Sequence, residues 1–97
     1  MGALSMDFNA YTVSIDHTQL SLTPKEYELL KLLVTHESRA FSRDELLDKI
    51  WGYEYYGDTR TVDVHIRHLR AKFDNALSGA GEAIETVRGV GYRFVHK

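Results

Sequence analysis

The chain has 97 residues, of which 43% are hydrophobic and 11% aromatic, and this composition predicts one folded domain over residues 1–97 rather than a disordered segment. The absence of cysteine excludes disulfides and thiolate chemistry, and no apolar run approaches the ~18 residues that a membrane span needs. The net charge of −2 is uneven, since residues 1–58 carry −5 and residues 59–97 carry +3, so a nucleic-acid footprint would lie in the last third.

Residues 4–22 alternate apolar and polar side chains, which is the period of strands that bury one face. Turn residues at Asn9-Ala10 and at Asp16-His17-Thr18 divide this run into three segments. We therefore predict an N-terminal antiparallel β-meander whose apolar face is covered by the next element.

A first helix begins at Thr23-Pro24-Lys25-Glu26. Thr23 is the expected N-cap, Pro24 takes the first helical position and Glu26 closes a capping box. The helix is apolar around most of its circumference, which predicts a central core helix. The apolar residues are Tyr27, Leu29, Leu30, Leu32, Leu33 and Val34.

A second helix follows a short extended piece at Ala40-Phe41. Ser42 and Glu45 repeat the capping box at its start, and Gly52 ends it. Its predicted inward residues are Leu46, Leu47, Ile50 and Trp51.

The connector over residues 52–58 is longer than the turn of a minimal helix-turn-helix. It displays three tyrosines and an acid: Tyr53, Glu54, Tyr55 and Tyr56. Two interpretations remain open, because the tyrosines either contact a second protein or pack back onto the core.

The third predicted helix organises the chain. Its buried stripe consists of Val62, Ile66, Leu69 and Phe73. The opposite face carries Arg60, Val64, Arg67 and Ala71, with Thr61 and His68 on its flank. Arginine binds guanine or phosphate, valine contacts the thymine methyl group, and alanine permits close approach, so this face suits a DNA major groove. The alternative is a basic helix that faces solvent.

The last segment contains a small-residue loop, Leu77–Ala83, and then two β-prone runs around Gly89-Val90-Gly91, which predict a hairpin. Arg88 and Tyr92 flank the tip, with Thr86 behind them. We expect Arg88 to enter a minor groove and the hydroxyls of Thr86 and Tyr92 to bind phosphate. The alternative for Arg88 is a solvated hairpin arginine.

These elements together predict an α+β winged helix-turn-helix: a β-meander, a three-helix core and a C-terminal hairpin wing. The segments Leu22–Leu30, Phe41–Leu47, Trp51-Gly52, Asp58–Arg67 and Thr86–Phe94 closely resemble the OmpR/PhoB family, the DNA-binding effector domains of two-component response regulators. The resemblance runs from about Leu4 to Phe94.

This resemblance implies a cytoplasmic bacterial transcription factor that binds double-stranded promoter DNA, usually as a tandem homodimer. It implies a receiver domain in the full-length protein, absent from this chain, whose phosphorylation promotes dimerisation. It also implies a contact with RNA polymerase through the loop Tyr53, Glu54, Tyr55 and Tyr56.

The family places DNA contacts on positions that match residues of this chain. On the recognition helix these are Arg60, Thr61, Val64, Arg67 and Arg70. On the wing and backbone they are Trp51, Thr86, Arg88 and Tyr92. One departure is His68, where many members carry arginine; histidine removes a backbone charge or shifts base preference. Asp63 is expected to pair with Arg67 or Arg88, and His65 to support a polar network.

Two other classes of function fit the residues less well. A metal site or an enzyme would have to use His65 and His68, and no further ligand lies at a suitable spacing, so we expect no metal, no cofactor and no catalysis. Gly89-Val90-Gly91 is not a phosphate cradle, because no helix start follows it. A winged helix used only for protein contacts would not need arginines on the groove-facing positions.

Overall fold

The computed structural model describes residues 4–52 and 58–95. It begins with an antiparallel sheet in the order β1 (Leu4–Asp7), β2 (Thr12–Ile15) and β3 (Thr18–Gln19). The alternation decides which side is buried, because Val13 and Ile15 face the core while Ser14 between them does not. The predicted meander is confirmed, with two changes. Thr18 belongs to β3, so only Asp16 and His17 form the turn, at φ values of 50° and 69°. The third strand ends at Gln19, so Leu20 and Leu22, which the alternation places in it, follow the strand instead.

Three helices form the centre of the molecule: α1 (Pro24–Thr35), α2 (Arg43–Trp51) and α3 (Arg60–Ala76). The capping box of α1 is present as predicted, since Thr23 Oγ1 accepts from the Glu26 N–H at 3.2 Å and Glu26 Oε1 accepts from the Thr23 N–H at 2.9 Å. Within the described residues, no helix has both the length and the apolar content to cross a membrane.

The second helix keeps only half of its predicted capping box. Ser42 Oγ accepts from the Glu45 N–H at 3.0 Å, but the Glu45 carboxylate accepts from Arg39 instead of closing the box. Gly52 ends the helix as predicted, at φ 88°, with its N–H donated to the Asp48 carbonyl at 2.9 Å.

A second antiparallel sheet has the strand order β4-β6-β5, with β4 (Phe41–Ser42), β5 (Ile84–Val87) and β6 (Gly91–Phe94). The predicted hairpin is its β5–β6 pair, and the extended piece before α2 supplies the third strand. The strands β4 and β6 approach so closely that a Cβ on Gly91 would lie 2.0 Å from the Phe41 carbonyl oxygen. Because only glycine fits at this position, Gly91 allows β6 of the wing to pair with β4, which leads directly into α2.

The segment predicted as a small-residue loop is more structured than expected. Residues Ala80–Ala83 form a 3-10 turn in which Ala80, Gly81 and Ala83 are buried. The Gly81 N–H donates to Asp74 Oδ1 of α3 at 2.8 Å, which fixes the turn on the end of the helix. This tertiary hydrogen bond has no local signature in the sequence.

Candidate nucleic-acid interface

The exposed side of α3 carries the residues that we call the arginine face: Arg60, Val64, Arg67 and Ala71. The opposite stripe is the one predicted, and Val62, Ile66, Leu69 and Phe73 are at most 1% exposed. Arg60 has 82% of its side chain exposed, and Val64 is 37% exposed, which is high for a large apolar residue. The stripe holds the helix in place and leaves the arginine face open to a partner.

Asp58 organises the start of α3. Its Oδ1 accepts from the Arg60 N–H at 2.8 Å, and its Oδ2 accepts from Arg60 Nε at 3.0 Å. The hydrogen bond from the Arg60 backbone, followed by that from its side chain, holds the pKa of Asp58 below its ordinary value. Arg60 is thereby positioned at the helix start, while its guanidinium remains in solvent where a phosphate can compete with Asp58.

Three residues from three elements form a cluster that we call the wing anchor: Arg43 of α2, Asp63 of α3 and Tyr92 of β6. Arg43 Nε donates to Asp63 Oδ1 at 2.7 Å, and the Tyr92 hydroxyl donates to the same oxygen. Our prediction that Asp63 pairs with Arg67 or Arg88 was wrong. Arg43 is its ion-pair partner, because the N-terminus of α2 lies against that flank of α3.

The protonation states of Asp63 and Tyr92 suit the hydrogen bonds of the wing anchor. Burial alone would raise the pKa of Asp63, but hydrogen bonds from Tyr92 and Arg43 outweigh burial and hold that pKa below its ordinary value. Burial, together with the bond to Asp63, raises the pKa of Tyr92. The carboxylate is therefore ionised and the phenol neutral at neutral pH, as this arrangement of donors requires.

Arg70 binds its own chain. Its Nε and Nη2 donate to the Ile84 carbonyl at 2.9 and 2.8 Å, and Nη2 also donates to Thr86 Oγ1 at 2.8 Å. The centroid of the Tyr92 ring lies 5.5 Å from the Arg70 guanidinium and 5.0 Å from that of Arg43. Arg70 thus connects α3 to β5 in the free protein.

The predicted wing residues differ in accessibility. Tyr92 is only 5% exposed and its hydroxyl is occupied by Asp63, and the Thr86 hydroxyl, although exposed, already accepts from Arg70. Arg88 is exposed in the turn, where Val90 N–H donates to the Val87 carbonyl at 2.9 Å and Gly89 takes φ 79°. Among the residues described, none is in hydrogen-bond contact with the Arg88 guanidinium, which leaves it available at the tip.

The flank of α3 nearest α1 carries two histidines. His65 Nδ1 donates to the Thr61 carbonyl at 2.8 Å, and its ring meets the half-buried ring of Trp51 edge-on at 4.8 Å. His68 is 56% exposed, and its Nδ1 lies 3.6 Å from Glu26 Oε2. The predicted support role of His65 fits this geometry.

Sequence reasoning assigned no functional role to Glu26 or Arg43. Each stands in the first turn of a helix, where a charged residue suggests a cap, and neither position signals its tertiary partner. Glu26 is 2% exposed and binds Lys72 Nζ at 2.6 Å across the α1–α3 interface. The proposed polymerase contacts Tyr53, Glu54, Tyr55 and Tyr56 lie outside the described residues.

The comparisons with known proteins agree on one family. Residues 17–94 match the family model described as "Transcriptional regulatory protein, C terminal". The transcriptional regulatory protein ResD of Bacillus subtilis is 47% identical over 91 residues, covering 94% of this chain and 38% of its own length. This chain therefore spans well under half of that relative.

Two solved structures match nearly the whole chain. The DNA-binding domain of the response regulator AdeR, in complex with an intercistronic region, superimposes with a TM-score of 0.83 at 29% identity, covering 98% of this chain and 95% of that one. The response regulator DrrB, a Thermotoga maritima OmpR/PhoB homologue, gives a TM-score of 0.83 at 27% identity, covering 99% of this chain and 43% of that one. The chain belongs to the OmpR/PhoB-type family of winged-helix DNA-binding output domains of transcriptional response regulators.

Proposed function

We propose that the chain reads a specific double-stranded DNA sequence by placing α3 in the major groove and the tip of the hairpin wing on the adjacent minor groove. The observation that carries the proposal is that the arginine face is solvent-exposed while the neighbouring flank of the same helix holds the wing. The AdeR domain, whose structure contains an intercistronic region, supports the same class of ligand.

The positions of the residues around α3 align the wing with the arginine face. At about 100° per residue, Asp63 and Arg70 lie roughly 60–80° around the helix from Arg60, on the side that binds the wing. Arg67 lies between that flank and the middle of the exposed face. Arg67 and Arg88 are therefore offered to one duplex from two adjacent elements.

The residues divide into three roles. Arg67, Thr61, Val64 and His68 read base edges, and Arg60 binds phosphate or guanine. Arg88 enters the minor groove, where a narrow groove concentrates negative potential. Trp51, Arg70 and Thr86 approach the sugar-phosphate backbone. Tyr92, which is 5% exposed and donates its hydroxyl to Asp63, positions the wing instead of binding phosphate.

Selection of bound duplexes from a random pool, followed by fluorescence anisotropy on the selected duplex, tests this proposal. Arg67→Ala is expected to weaken binding by about 1–3 kcal/mol and to relax preference at one base position. The matched control is Arg93→Ala, because Arg93 lies on the other face of the hairpin and its guanidinium binds Glu85 at 2.8 Å. If Arg67→Ala and Arg93→Ala bind alike, the proposed role of Arg67 is refuted.

Salt dependence separates wing contacts from folding effects. Loss of one phosphate contact reduces the slope of log K against log salt by roughly 0.9. Arg88→Ala is expected to reduce the slope by about this amount and to leave the thermal midpoint unchanged, because the side chain is exposed. An unchanged slope would show that Arg88 makes no contact with DNA. A flat slope in the unsubstituted protein would favour a winged helix that contacts only proteins.

We further propose the assembly in which this domain works. It acts as the output part of a longer regulator that includes a receiver domain, since it spans 38% of ResD and 43% of DrrB. It binds direct repeats as a tandem homodimer and contacts RNA polymerase through residues 53–56. Half-sites selected about one helical turn apart support the tandem arrangement, whereas single isolated half-sites contradict it.

A further inference from the structure

The buried carboxylate of Glu26 faces the recognition helix from α1. Its Oε1 is saturated, because it accepts from Thr23 N–H at 2.9 Å and from Lys72 Nζ at 2.6 Å. Burial alone would raise the pKa of Glu26, but the hydrogen bonds from Lys72 and Thr23 hold it below its ordinary value, so the group is an anion. Its second oxygen, Oε2, points towards the ring of His68 at 3.6 Å.

This arrangement constrains the imidazole. A distance of 3.6 Å is too long for a hydrogen bond, but a carboxylate oxygen held 3.6 Å from Nδ1 still favours a proton on that nitrogen over a lone pair. The charged groups facing the ring are Glu26 from α1 and Lys72 from the next turn of α3, and the His65 ring lies 6.5 Å away. In neutral imidazole, a proton on Nδ1 leaves Nε2 as an acceptor.

We propose that Glu26 is a positioning residue that fixes the Nδ1–H form of His68, so that His68 presents an acceptor to the major groove and selects, on the strand that it faces, a base with an exocyclic amino group. Adenine N6 and cytosine N4 are the amino donors on the major-groove edge, whereas guanine offers only the acceptors O6 and N7 and thymine only the acceptor O4. The preferred base at this position is therefore adenine or cytosine.

The inference rests on the proposed function, because it assumes that α3 enters the groove. It also depends on where His68 lies: the ring is 56% exposed, at the border between the arginine face and the α1 contact. Among the described residues, none is in hydrogen-bond contact with Nε2. Within the ring, Nδ1 thus faces Glu26, whereas Nε2 is accessible to DNA.

The test compares base preference in three proteins selected from the same random pool. The unsubstituted chain is expected to select adenine or cytosine at one position, and His68→Arg, which has only donors, is expected to change that position to guanine. Glu26→Gln keeps the acceptor for Thr23 but turns an amide N–H towards Nδ1, so it reverses the tautomer. In that variant the ratio of affinities that disfavours guanine at this position is expected to fall about fivefold.

A control variant and a direct measurement of the tautomer accompany this comparison. His17→Gln, in the exposed turn of the meander, is expected to leave the preference unchanged. Nitrogen-15 NMR of the unsubstituted chain reports the His68 tautomer directly, so the proposal stays testable if Glu26→Gln does not fold. A proton on Nε2, a doubly protonated ring, or selection of guanine or thymine at this position by the unsubstituted chain would overturn the proposal.

Failure of the underlying function has a different signature. If no sequence is enriched by the unsubstituted chain, the proposed function fails and this inference fails with it. If a sequence is enriched but no position changes in His68→Arg, DNA reading stands and the role of His68 and Glu26 is refuted.

Discussion

Replacing Tyr92 with phenylalanine removes one oxygen from the wing anchor and leaves the rest in place. The ring still packs beside Arg43 and Arg70, and Asp63 keeps its 2.7 Å bond to Arg43 Nε. The variant therefore loses a hydrogen bond to a charged acceptor, which contributes about 1.5–3 kcal/mol. Because the Asp63 side chain is 32% exposed and water can replace part of that bond, we expect a loss of about 1–2 kcal/mol.

The expected loss has a pH dependence with a fixed sign. The folded-state pKa of Asp63 lies below its ordinary value of 3.8, so ionised Asp63 stabilises the fold above about pH 4. This contribution is lost as the pH falls through the folded-state pKa. Tyr92→Phe raises that pKa towards the ordinary value, so the difference in stability between the two proteins is largest at neutral pH and shrinks in acid.

Urea unfolding at pH 7 and at pH 3.5, followed by circular dichroism, measures the loss of stability and its pH dependence. In thermal unfolding at pH 7 the midpoint temperature is expected to fall by about 5–15 °C for a domain of this size. DNA affinity is expected to fall as well, because the wing is less firmly held against α3. Equal stability of the two proteins at both pH values would refute the hydrogen-bond network as the support of the wing.

Three further predictions concern the joints of the fold. Gly91→Ala is expected to cost about 3 kcal/mol of stability, because its Cβ would lie 2.0 Å from the Phe41 carbonyl oxygen. The Cβ of Gly89→Ala would meet nothing within 4 Å, so this variant is expected to cost only the roughly 1–2 kcal/mol of a left-handed backbone. Equal losses of stability in thermal unfolding would contradict the close approach of β4 and β6. Arg70→Met is expected to accelerate amide exchange in β5 selectively, because three donated bonds disappear; uniform exchange rates across both sheets would argue against a tether. Ser42→Ala is expected to cost about 1 kcal/mol in urea unfolding through loss of the α2 N-cap, and no loss would show that water replaces the cap.

The sequence predicts the parts of this structure that depend on local periodicity. The buried stripe of α3 and the capping box at Thr23 both follow from the spacing of residues a few positions apart, and the structure confirms them. The fold follows as well, because the order of the elements restricts the topology to a winged helix.

The parts that escaped prediction depend on contacts between distant segments. The sequence predicts Arg67 or Arg88 as the partner of Asp63, but the partner is Arg43, which lies twenty residues away in the chain and is brought close by the crossing of α2 and α3. The same holds for the 3-10 turn fixed by Asp74. Charge pairs and small residues have no periodic signal, so their partners become visible only in three dimensions.

The central claim is that the arginine face of α3 and the tip of the wing form one DNA-binding surface. The most direct test is an NMR titration of the nitrogen-15-labelled chain with its selected duplex. We expect amide shifts to concentrate in residues 60–71 and 86–90, with the strands β1, β2 and β3 unchanged. Shifts centred on the meander, with the exposed side of α3 unaffected, would contradict the claim.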